Sequence, residues 1–172
     1  MSIALLALAA FGTLALFATT LLGQIGVPSA AWVRQHVLFA LGSTFLLVMA
    51  HSFILFFLIA TGVELKDMEK REGWGDSFRR RTIAMKSRVF PVTTFALLAV
   101  IANFIVGGAA HTRVVPPWAH AIVAWGTLAL CLVALARDYA VLGDNNRLIA
   151  EAASRREDRG DVPVEDTART GA

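Results

Sequence analysis

Apolar positions gather into four long runs, roughly residues 3–22, 36–63, 89–110 and 118–142, separated by segments in which charged and turn-forming residues collect. Each run approaches or exceeds the roughly 20 residues with which an α-helix crosses about 30 Å of hydrocarbon. The pattern therefore predicts an all-α protein, an integral membrane antiparallel four-helix bundle with short connections between neighbouring helices. The second run is expected to start near Ala31 and to continue as a polar, exposed helix past residue 63, until Gly73 and Gly75 break it. Gly143 and Asp144 read as a stop followed by a fresh N-cap, which predicts a short charged cytoplasmic helix over about residues 145–157. Asp76 and Ser77 stand where the cap of an interfacial segment belongs. Residues 160–172 hold almost no bulky apolar side chain and are expected to be disordered, leaving residues 1–159 as the folded unit.

Composition narrows this picture. Hydrophobic residues make up 56% of the 172-residue chain and its mean hydropathy is +0.62. With about 100 residues in the apolar runs, no independent soluble domain fits between them. The first run lacks the basic flank of a secretory signal and its apolar stretch is too long for one, so it reads as a membrane helix. A pI of 9.6 and a net charge of +3 do not point to nucleic acid, because the basic residues flank membrane segments.

Charge instead sets orientation. The connection between the second and third runs carries Lys66, Lys70, Arg71, Arg79, Arg80, Arg81, Lys86 and Arg88, whereas the other two hold Arg34 and Arg113. Cationic loops stay on the cytoplasmic side, so the central connection and both termini are expected there, in a multi-pass protein whose composition suggests a bacterial inner membrane. Trp32 and Trp118 then fall in the outer aromatic belt. Arg79, Arg80 and Arg81 are the topology determinant and a candidate contact for anionic lipid.

Function is sought among the polar residues inside the runs, since hydrocarbon offers them no partners. On the second run His36, Ser43 and His51 fall within about 80° of one another, and on the fourth His120, Thr127, Cys131 and Asp138 within about 40°. Ser43, Thr44, Asn103 and Thr127 share a depth and could form one hydrogen-bonded layer. His36 and His120 occupy the first outer turns of their helices. Imidazoles on facing helices at equal depth give the trans geometry of axial ligands to a b-type haem, a layout that resembles small membrane cytochromes b. His51 is a deeper third candidate for cofactor binding, with Thr93 and Thr94 at its level and no second histidine there.

A second reading joins His36, His111 and His120 as a copper or zinc site; a third leaves the outer histidines as ordinary interfacial residues. Asp138 could join His51 in a proton route or pair with the adjacent Arg137 at a helix end. The lone Cys131 permits no intramolecular disulfide. No phosphate-binding glycine loop, nucleophile with a spaced base, or haem-attachment motif is present. The functional expectation is an electron-relay protein using intramembrane histidines. Its alternatives are a non-catalytic accessory or assembly subunit of a larger membrane complex and a small oligomeric transporter; other membrane subunits or further copies of the chain are the expected protein partners.

Overall fold

The computed structural model describes residues 2–26 and 29–160, and every regular element among them is an α-helix. These are α1 (Ser2–Ile25), α2 (Ala30–Glu72), α3 (Ser77–His111) and α4 (Pro117–Gly160). All four are long and apolar enough to cross a membrane. The expected tail beyond residue 160 lies outside the described residues.

Local signals explain most of the boundaries. Ser29 caps α2, its hydroxyl oxygen accepting from the Trp32 N–H at 3.2 Å. Gly73 ends the helix in the left-handed region at φ 67°, where a side chain would be strained. The 43 residues of α2 rise about 65 Å, far more than a bilayer core requires. α3 starts at Ser77, well before its apolar run, and passes through Pro91 without ending.

The expected break at residues 143 and 144 does not occur. α4 runs through Gly143 and Asp144 as one helix, so no separate helix over residues 145–157 exists. A glycine inside a helix costs about 1 kcal/mol. Continuing the helix buries Leu148 and Ala152 against the other helices, and a buried leucine alone returns roughly 1.5–3 kcal/mol. Asn145, also buried, accepts from the Thr61 hydroxyl at 3.0 Å.

Each helix packs against its two neighbours in the ring α1, α2, α3, α4. Across the diagonals α2 touches α4, whereas α1 and α3 do not meet among the described residues. Register is visible in particular pairs. Gly12 lies against Leu47 and Gly23 against His36; Gly107 lies against His120, and the Thr127 hydroxyl reaches the Ala99 carbonyl. Phe45, Phe56 and Ile105 are about two-thirds exposed at 65%, 66% and 64%. Thr13, Ser43, His51, Thr93, Thr127 and Asp138 are buried. Apolar residues outside and polar residues within reverse the order found in water-soluble proteins.

Where α2, α3 and α4 extend together beyond their apolar runs, they pack as a charged three-helix head. Phe78 is fully buried there, 5.5 Å from the Trp74 ring and 5.1 Å beneath the Arg155 guanidinium. The first amides of α3 are held by Glu69 of α2, whose carboxylate accepts from the Phe78 N–H at 2.6 Å and the Arg79 N–H at 3.1 Å. Asp76 occupies the cap position but makes no side-chain cap bond. The expected cap is thus supplied from another helix, where a carboxylate also meets the positive end of the α3 dipole. Arg81 pairs with Glu151 of α4 at 2.6 Å, its side chain half exposed.

Candidate functional site

At the opposite end from the head, the four helices surround a cavity of about 470 Å³. It is reached by polar side chains from every helix: Thr19, Thr20 and Gln24 of α1, His36, Ser43 and Thr44 of α2, Asn103 and His111 of α3, and His120 of α4. His36 and His120 face one another across the α2–α4 diagonal, with ring centres 6.5 Å apart and planes at 77°. In both rings Nδ1 is buried without a hydrogen-bond partner, whereas Nε2 is not among the buried unpartnered atoms. Both residues line the cavity.

Glycine makes this placement sterically available. A Cβ on Gly23 of α1 would stand 3.0 Å from His36 Cε1, and a Cβ on Gly107 of α3 would stand 3.0 Å from His120 Cε1. Each imidazole therefore rests on a glycine of the preceding helix, the same device on both halves of the chain. At the rim Trp32 packs onto Gly26 so closely that a side chain at position 26 would require the indole to move. Gly107 is recognisable in the sequence as a small residue permitting close approach; Gly23 carries no such signal without the α1–α2 register.

The structure separates the other histidines from this pair. His111 is exposed and lines the cavity rim. No group of three or more metal-ligating side chains is gathered among the described residues, so His36, His111 and His120 do not form a metal ligand set. The expected hydrogen-bonded layer is also absent. Ser43 donates to the Ala40 carbonyl and Thr127 to the Ala99 carbonyl, while Asn103 Oδ1 has no partner. Short hydroxyls inside an apolar bundle satisfy themselves on the nearest backbone oxygen, which leaves nothing to join them to each other.

His51 lies deeper, about 22 Å along α2 from His36. It meets Asp138 of α4, its Nδ1 3.4 Å from Oδ2, and the Thr93 hydroxyl of α3 donates to Asp138 Oδ1 at 2.8 Å. All three are 0% exposed. Asp138 thus pairs across the bundle and not with Arg137, which is exposed on the other side of the helix. Direct contact between His51 and Asp138 leaves no space for a planar cofactor between them. Thr94 faces outward, and so do Phe53 and Phe56, 48% and 66% exposed.

Fold and site define a class of protein and no more: a four-helix chain with helices long enough to cross a membrane, an imidazole-lined cavity at one end and a buried histidine–carboxylate pair within. Comparison with protein-family models, curated proteins and solved structures finds no match.

Proposed function

We propose that the protein is an antiparallel four-helix membrane bundle that holds one b-type haem between His36 and His120 and relays electrons at the outer face of the membrane. The observation that carries this reading is the spacing of the two imidazoles across the cavity. An imidazole nitrogen ligates a transition metal at about 2 Å, so two rings on opposite sides of one ion have centres roughly 6 Å apart. The observed separation is 6.5 Å, and the volume of about 470 Å³ falls within the roughly 300–1,000 Å³ of cofactor pockets.

Haem iron supplies one-electron chemistry. This chain would provide His36 and His120 as the two axial ligands, Gly23 and Gly107 as the surfaces that seat their rings, and Leu16, Phe104 and Ala124 among the apolar walls. Two histidines holding the group would suit electron relay. The antiparallel arrangement is supported by the opposite running order of the Gly12–Leu47 and Gly23–His36 pairs. Insertion is supported by the apolar exterior, and a cytoplasmic head by the concentration of basic residues there. Arg79, Arg80 and Arg81, all exposed beside the head, are the candidate contacts for anionic lipid.

The test is a visible spectrum of detergent-purified protein, oxidised and then reduced with dithionite. A Soret band with sharp reduced α and β bands, lost in His36→Ala and in His120→Ala but kept in His111→Ala, is the expected result. Colourless protein after haem supplementation during expression would overturn it and leave an accessory subunit as the better account.

A further inference from the structure

The pair deep in the bundle is independent of the cavity, and its chemistry follows from what surrounds it. α1 carries no ionisable side chain. On α2, His51 is the only ionisable group at this level, with Glu64 well beyond it. On α3 the nearest are Arg88, exposed, and Lys86, half-buried over Gly62. On α4, Arg137 and Tyr139 point outward, and the buried Cys131 lies two turns away with its thiol in the field of Asp138. Among the described residues His51 is the one cationic partner that Asp138 has.

Charge balance then decides the occupancy of the site. A carboxylate beside a neutral imidazole would leave an uncompensated negative charge where water is excluded, and an imidazolium beside a carboxylic acid an uncompensated positive one; both are heavily penalised. With one proton more than neutral imidazole and carboxylate, shared by the two side chains, the site is neutral overall. Its atoms are arranged for that. Thr93 donates to Oδ1 and so reserves Oδ2 for the face toward His51. Oδ2 and both imidazole nitrogens are buried with no hydrogen bond of their own; a proton between Oδ2 and Nδ1 satisfies two of these three atoms at once, and charge balance adds the further proton that makes the pair neutral.

We infer that His51 and Asp138 form a buried proton-binding site that is neutral overall, holding one proton beyond those of neutral imidazole and carboxylate, with Thr93 fixing the carboxylate. The proton belongs to the pair and not to either residue.

The experiment is solid-state NMR at neutral pH on the full chain in lipid bilayers, with ¹⁵N-labelled histidine and ¹³C-labelled aspartate assigned through the backbone. The expected spectra show either imidazolium with carboxylate or neutral imidazole with carboxylic acid, one proton beyond neutral imidazole and carboxylate in both cases. In Asp138→Asn His51 becomes neutral, and in His51→Gln Asp138 becomes the acid. A neutral imidazole beside a carboxylate in the wild-type protein would overturn the proposal, as would an imidazolium beside an acid or an imidazolium that persists in Asp138→Asn. The wild-type spectrum decides the question even if a variant fails to insert.

Discussion

The two ends of the bundle are built on opposite principles. At the head most polar groups find partners on other helices: Glu69 holds two amides of α3, Arg81 pairs with Glu151, the Thr61 hydroxyl donates to Asn145, and the Ser2 hydroxyl donates to Asn146 at 2.7 Å, while Thr82 Oγ1 and Asn145 Nδ2 stay unpaired. The aromatic Phe78 closes the space between three helices. At the cavity end the helices stand apart, and His36 Nδ1, His120 Nδ1 and Asn103 Oδ1 are buried with nothing to bond. Buried unpaired polar atoms cost about 1–3 kcal/mol each. At the cavity end the unpaired atoms belong to side chains that line open space, where a ligand could meet them, whereas Thr82 and Asn145 at the head line no such cavity.

Substitutions at each end should therefore have separable effects. The largest is expected at the cavity, where His36→Ala or His120→Ala abolishes haem retention, read from the Soret absorbance per chain, without loss of helical circular dichroism. Next comes the head. Phe78→Ala should cost about 3–5 kcal/mol, the range for deleting a buried aromatic ring, measured by denaturant unfolding in detergent, with any bound haem retained until the head melts. Glu69→Gln keeps shape but removes the charge from two cap bonds; a loss of about 1–3 kcal/mol should appear as faster amide exchange confined to Phe78, Arg79 and their neighbours. Gly23→Ala and Gly107→Ala move an imidazole by a few tenths of an ångström, and a cost near 1 kcal/mol would weaken haem affinity about fivefold, with head stability unchanged. The smallest effect is expected from Arg81→Gln, an exposed pair worth about 0–1 kcal/mol. If the histidine variants destabilised the head as much as Phe78→Ala does, the two ends would not be independent.

Much of the fold was legible because it follows from local chemistry. Apolar runs mark the helices, Gly73 marks the end of α2, and the seven-residue spacing of Cys131 and Asp138 places both on one buried face of α4. What sequence did not reveal depends on contacts between helices. Asp138 sits next to Arg137 in the chain, yet a step of about 100° along a helix turns one inward and the other out, and only inter-helix register brings in His51. Glu69 lies on a different helix from the amides it caps, so the local pattern favoured Asp76. Gly143 reads as a stop, but the burial of Leu148 and Ala152 further on outweighs a local preference of about 1 kcal/mol. The pairing of glycines with histidines was hidden for the same reason, since it becomes visible only when α1 is aligned with α2 and α3 with α4.

The central claim is tested most directly by titrating haem into purified haem-free protein in detergent and following the Soret band. The account predicts saturation at one haem per chain, with the spectrum of a six-coordinate bis-imidazole iron, and no saturable binding to the His36→Ala, His120→Ala double variant. A wild-type titration without a break, or one indistinguishable from that of the double variant, would contradict it.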